Sequence, residues 1–319
     1  MSDRPIPGPY DFPSPPSDLC GWLQPESQRE FAKFVVADDG PFLTYQEYLT
    51  HFKDDRGEPE ETKIWEYAKR LLGGQHVPTW RQLIGDCVSF GCKNVWVYRQ
   101  VSEIAREYQE ETLRFPFAPY YYGMSRTAPD LGNGRLGTGD GSTGAWGAGA
   151  MRTGTLFDDD NNVPAYHATV AKDWGRGSGP PEWARELAKD NPVGKTAKLS
   201  SVEQVRHELI NRRPVTMACM YDLEMQPREY RGHHVFKRGA VVGGHQIALI
   251  EWMDDPFPAA YLIGSWGANA HGTPINGEPP GGAWVRAEDL EHHMRGGYSE
   301  FFAMSLLAGH PSEPNPSPL

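Results

Sequence analysis

The sequence predicts an α+β protein. Its first half carries apolar residues at helical spacing and its second half carries short alternating or β-branched segments, while 35 glycines and 28 prolines point to a loop-rich chain rather than a helical bundle. With 319 residues the chain can hold one large domain or two ordinary ones.

Taken in order, residues 1–25 are rich in Pro, Ser and Asp and read as an extended, poorly packed arm, and 310–319 read as a similar disordered tail. Residues 26–76 read as helical pieces forming an N-terminal extension, either a subdomain or an inhibitory pro-segment. Within it Ile64, Tyr67, Ala68 and Leu71 mark a short amphipathic helix over 61–72 that Gly73-Gly74 stops. A tight loop with Gln82, Gly85 and Asp86 then leads into a helix starting near Cys87. Its stripe of Phe90, Asn94, Val97, Val101, Ile104 and Tyr108 advances by steps of four and three, the spacing of one buried face. Pro116, Pro119 and three tyrosines suggest a rigid aromatic turn over 115–126.

Residues 132–149 are Gly-rich but lack a phosphate-loop pattern, so the glycines let backbone approach a neighbour or an extended ligand, and a short helix follows over 145–152. Asp158-Asp159-Asp160-Asn161-Asn162 lacks the ligand spacing of a calcium loop and reads as a solvated turn. Ser200-Ser201-Val202-Glu203 carries a capping box ahead of a helix with Val202, Val205 and Leu209 on its buried side. Val215, Met217, Cys219 and Tyr221 alternate as a strand, and further strands are expected at 245–252 and 261–266.

Charge and composition exclude several functions. The formal net charge is -11 with no dense basic patch, which argues against nucleic acid as the main partner. No apolar run approaches a membrane span and the N-terminus lacks a signal-peptide pattern, so a cytoplasmic or particle-enclosed protein is expected. Cys20, Cys87, Cys92 and Cys219 lack metal spacing and read as reduced thiols. His233-His234 and His292-His293 read as surface pairs, and neither a metal nor another cofactor is expected.

Two residues carry candidate chemistry. A thiol at a helix N-terminus ionises more readily than usual because the helix dipole favours an anion, so Cys87 is a candidate nucleophile; most free cysteines are simply buried hydrophobes. A thiolate needs a base, and His245, which follows Gly243-Gly244 and opens an apolar strand, is the histidine best held for that task. Ser265-Trp266-Gly267 ends the next strand and can bring a hydroxyl and an indole against the ring.

The order Gln82, Cys87, His245, Ser265-Trp266-Gly267 resembles the papain family of cysteine peptidases. Phe117-Ala118-Pro119-Tyr120-Tyr121-Tyr122, the run 139–154, Arg213-Pro214-Val215 and Tyr230-Arg231-Gly232 are similar to further family segments in the same order. The resemblance implies a papain-like domain over 77–309, with a helical lobe led by the Cys87 helix, a β-barrel-like lobe carrying His245, and a cleft between them. It implies a thiol-dependent peptide or amide hydrolase with Cys87, His245, Gln82 and Ser265 as catalytic residues and Trp266 and Gly144 at the substrate. Departures are plain. Ile84, Asp86 and Val88 replace signature residues beside the nucleophile, and Gly264 stands where the family's histidine-orienting asparagine is found. The histidine must then be fixed by Ser265, another residue, a backbone carbonyl or water. A catalytically silent papain fold within a larger assembly, and acyl transfer to an amine, are the alternative expectations.

Overall fold

A computed structural model describes residues 19–23, 42–49, 62–107, 112–297 and 299–304. Most of the 1–25 arm, the whole 310–319 tail and Tyr108 of the helical stripe lie outside the described residues.

In chain order the elements are β1 (Phe42–Leu43), α1 (Tyr45–Leu49), α2 (Ile64–Leu71), α3 (Cys87–Glu107), α4 (Ala118–Thr127), α5 (Gly144–Arg152), α6 (Ala168–Trp174), α7 (Glu182–Ala188), β2 (Thr196–Leu199), α8 (Val202–Ile210), β3 (Val215–Leu223), β4 (Arg228–Tyr230), β5 (His233–Val235), β6 (Arg238–Met253), β7 (Ala259–Ile263), β8 (Gly282–Arg286), α9 (Ala287–Arg295) and β9 (Glu300–Met304). The fold is therefore α+β, and the strands form one sheet in the order β1-β2-β9-β3-β6-β7-β8-β5-β4. Pairing is antiparallel except between β1 and β2 and between β5 and β8.

The central contact is α3 against β6. Helical periodicity predicts one buried face for α3, but every residue from Cys87 to Ile104 is buried, including Lys93, Arg99 and Glu103. The polar ones are retained because they are paired. Lys93 meets Asp158 at 2.6 Å and Arg99 meets Glu103 at 3.0 Å, so each of these buried charges faces an opposite one. On its β6 side, Gly91 gives Gln246 room: a Cβ there would lie 2.8 Å from the Gln246 side chain.

The aromatic turn expected over 115–126 is instead a helix, α4. Proline is tolerated in a helix's first turn, whose N–H groups have no intrahelical acceptor, so Pro119 starts the helix rather than preventing it. His293 also differs from a surface pair: it is buried, with Nε2 3.1 Å from Asp222 Oδ1. Cys219 lies fully buried on β3, and all four cysteines are free thiols. Among the described residues no helix is long and apolar enough to cross a membrane, and no cluster of His, Cys, Asp and Glu could hold a metal.

Candidate active site

Cys87 opens α3 and is fully buried. The pairing of β3 with β6 sets Cys219 opposite His245 and Ala218 opposite Gln246. Side chains alternate along a strand, so Gln246 turns to α3, where its amide donates to Val88 C=O at 3.2 Å, while His245 turns to Trp266. The Gln246 backbone N–H lies 3.4 Å from Cys87 Sγ. Two groups 158 positions apart in the chain are thereby brought to adjoining places, with the sulfur against the residue next to the imidazole.

The His245 ring is clamped by aromatics. It stacks on Trp266 at 4.1 Å and 17° and meets Tyr221 edge-on at 5.7 Å. Both ring nitrogens are buried and neither has a hydrogen-bond partner among the described residues, so no hydrogen bond joins the ring to Cys87. Burial, with His271 adding to it, pushes the imidazole down to about 3. Burial likewise pushes the Cys87 thiol up to about 12, although N–H groups of Gln246 and Gly21 pull it back. At neutral pH both groups are uncharged in this form.

Part of the cover over Cys87 is the chain's own N-terminal portion, Trp22 packing in one cluster with it. Residues 19–23 fall within the stretch expected from the sequence to pack poorly, yet here they form a strap beside Cys87. Trp22 N–H donates to Gly244 C=O at 2.9 Å, Ser142 N–H donates to Gly21 C=O at 2.8 Å, and Leu23 N–H donates to Ser142 C=O at 2.8 Å. The strap thus runs parallel to residue 142. The Trp22 indole is buried and donates to Glu300 Oε2 at 2.8 Å. Glu300 also accepts the N–H of Gly144 at 2.9 Å, so Gly144 is engaged by a buried carboxylate while Ser142 pairs with the strap.

Contact between strap and site is very close. A Cβ on Gly21 would lie 1.8 Å from Gly85 O, and one on Gly244 would lie 1.9 Å from Trp22 O.

Gln82 and Ser265 form one unit. The Ser265 hydroxyl donates to Gln82 Oε1, which turns the amide nitrogen to donate to Leu19 C=O at 2.6 Å and Ile84 C=O at 2.8 Å. Ser265 therefore orients Gln82, and Gln82 already holds a carbonyl oxygen, the type of group an oxyanion-binding amide stabilises. Arg81 pairs across to Trp266, which ties the Gln82 loop to the Ser265 turn.

Sequence reasoning missed the strap. The signal available was the close apolar group Leu19, Trp22 and Leu23 at the end of a Pro-rich arm. Asp86, next to Cys87, is buried; Tyr166 O–H donates to its Oδ2 at 2.9 Å, and burial pushes its carboxyl up to about 8. A carboxyl raised on folding contributes stability that is present below its ordinary 3.8 and is lost as pH rises through 8. Asp86→Asn is therefore expected to raise the melting temperature at pH 9 and to change it little at pH 4, as differential scanning calorimetry at the two pH values would show.

No family profile and no curated protein sequence matches the chain. Solved structures do. Xylellain, a cysteine protease from Xylella fastidiosa, aligns with a TM-score of 0.54 over 91% of this chain and 96% of its own at 12% identity. Procathepsin B of Trypanosoma congolense gives 0.54 over 91% and 88% at 12% identity. Digestive procathepsin L2 of Tenebrio molitor gives 0.55 over 91% and 79% at 10% identity.

Proposed function

We propose that this chain, which has the fold of the papain-like cysteine proteases, is a thiol-dependent peptide or amide hydrolase held dormant by its own residues 19–23. The observation that carries the reading is the convergence of Cys87, Gln82-Ser265 and the β6 residues 244–246 on one short extended segment. Gly244, Ser142 and Gln82 all bond that segment's backbone, as they would an extended peptide substrate. In this reading the substrate cleft lies between a helical lobe led by α3 and a barrel-like strand lobe carrying His245.

The chemistry follows from strap release. Water reaching the site weakens the burial that keeps thiol and imidazole neutral, and the Cys87 proton passes to His245. The thiolate attacks the substrate carbonyl, Gln82 Nε2 and the Cys87 N–H hold the oxyanion, and His245 returns its proton to the leaving amine. Water then hydrolyses the thioester.

The second reading is a catalytically silent papain fold serving as a binding or structural module. It is favoured by the two unpartnered nitrogens of His245 and by Gly264.

One substitution separates the two readings. Gly21→Ala cannot keep the strap seated, because the added methyl meets Gly85 O, and it leaves the site's own residues intact. The variant is expected to alkylate at Cys87 at least about tenfold faster than wild type with an epoxysuccinyl peptide, since a freed thiolate is the reactive species. Peptide mapping by mass spectrometry gives the site. If Cys87 in Gly21→Ala reacts no faster than Cys92 or Cys219, the hydrolase reading fails and the binding module stands.

A further inference from the structure

Position 264 is a glycine, yet the space its side chain would enter is not empty. A Cβ built there would have His271 Nε2 as its neighbour at 3.9 Å. His271 lies in the turn that follows Trp266 and is 2% exposed. Its ring is held on two sides, edge-on to Phe236 at 4.8 Å and to Trp266 at 6.0 Å. The indole that His271 touches edge-on is the one on which His245 stacks.

The protonation pattern of His271 follows from its other partner. Nδ1 lies 2.9 Å from Met225 C=O, and a carbonyl can only accept, so Nδ1 carries the proton. Burial pushes the ring down to about 4, so it is neutral at physiological pH. Nε2 is then an unprotonated acceptor of fixed tautomer beside position 264. His245 supplies the complementary need, a buried ring with no hydrogen-bond partner for either nitrogen among the described residues.

We propose that His271 is the positioning residue for His245, its Nε2 accepting one imidazole N–H so that the other nitrogen is kept for the Cys87 proton. The proposal rests on the hydrolase reading and concerns the strap-free form. Leu19 and Cys20 pack on the cluster containing Tyr221 and Trp266, the rings that clamp His245, so the strap-free form is the one in which the imidazole would turn toward His271. The Sγ proton then moves to the free nitrogen of His245, and the N–H facing His271 stabilises the resulting imidazolium. The same proton later leaves with the amine, and His271 gains and loses none.

Peptide hydrolysis and Cys87 alkylation are followed against pH in the full-length Gly21→Ala protein and in the same protein with a second change. His271→Phe keeps a ring but no acceptor. It is expected to lower kcat by about 10- to 100-fold with KM little changed, as when the group orienting a working histidine is removed. It should also move the alkaline limb of the profile down by about one pH unit, because the imidazolium loses its acceptor. His271→Gln, which can donate to Met225 C=O and still accept, should retain most activity. Combining His271→Ala with Gly264→Asn should restore the rate and the limb together.

An unshifted limb with an unchanged rate in His271→Phe overturns the proposal while leaving the hydrolase reading intact. A Gly21→Ala parent that neither hydrolyses peptides nor labels at Cys87 overturns both. Nitrogen-15 NMR of the imidazoles in the wild-type chain decides independently of activity and of variant folding. A neutral His271 protonated on Nδ1 is expected, and a proton on Nε2 would end the proposal.

Discussion

Cys87→Ser, introduced into the Gly21→Ala protein, is expected to lower peptide turnover by at least about 10³-fold, the scale seen when a covalent nucleophile is removed. The replacement keeps the shape of the residue at the start of α3, and a serine oxygen can accept the Gln246 N–H that Cys87 Sγ accepts. What changes is acidity. A thiol can be ionised by a neighbouring imidazole and a helix N-terminus, whereas a hydroxyl at the same place cannot reach a useful anionic fraction. The measurement is the rate of hydrolysis of a fluorogenic peptide, with peptide mapping after alkylation as the second readout. Cys92 and Cys219 serve as internal references, because each is fully buried and burial raises both thiols. Turnover that survives Cys87→Ser within tenfold would show that hydrolysis, if present, does not use this sulfur.

How much of this site was legible in the sequence varies with the physical origin of each feature. The start of α3 at Cys87, the strands around Cys219 and His245, and the stacking of Trp266 on His245 follow from local patterning and from motif order. Ser265 was read as a group that could orient the histidine. In the folded chain it donates to Gln82 Oε1 instead, and no periodicity distinguishes these two partners because both contacts span loops. The strap was hidden for another reason. Its affinity for the site comes from backbone hydrogen bonds at Gly21, Trp22 and Leu23, which every residue type offers, and from absent side chains at Gly21, Gly243 and Gly244. A glycine's lack of a Cβ becomes informative only once the backbone it must admit is known. The same holds for Gly264 and His271, separated by a turn whose path the sequence does not specify. Burial of α3 all round from Cys87 to Ile104 was concealed by its charged residues, whose partners Asp158 and Glu103 lie on a distant loop and on the helix itself.

A second large effect concerns stability. Glu208 on α8 is fully buried and accepts hydrogen bonds from Arg213 at 2.8 and 3.0 Å, from Tyr45 O–H at 2.6 Å and from Tyr48 O–H at 3.1 Å. This carboxylate ties α1, in the early part of the chain, to the helix and turn that lead into β3. Burial alone would raise its pKa, but the Arg213 guanidinium and the hydrogen bonds of His207 and Tyr45 outweigh burial and hold it at about 2. A depressed carboxyl contributes stability that is present above its ordinary 4.5 and is lost as pH falls through 2. The shift corresponds to about 3 kcal/mol at neutral pH, since each pH unit is worth about 1.4 kcal/mol. Glu208→Gln keeps the shape but removes the buried carboxylate charge that Arg213 meets at 2.8 Å, which costs on the order of 3–5 kcal/mol. Urea denaturation at pH 7 is expected to show that loss, and the difference between wild type and variant should shrink as the pH is lowered from 4.5 toward 2. Replacing the pair together, Glu208→Gln with Arg213→Met, should recover part of the loss, because the cation is then removed along with the carboxylate it met. A variant difference that stays constant from pH 7 to pH 2 would show that packing, rather than the ionised carboxylate, joins α1 to α8.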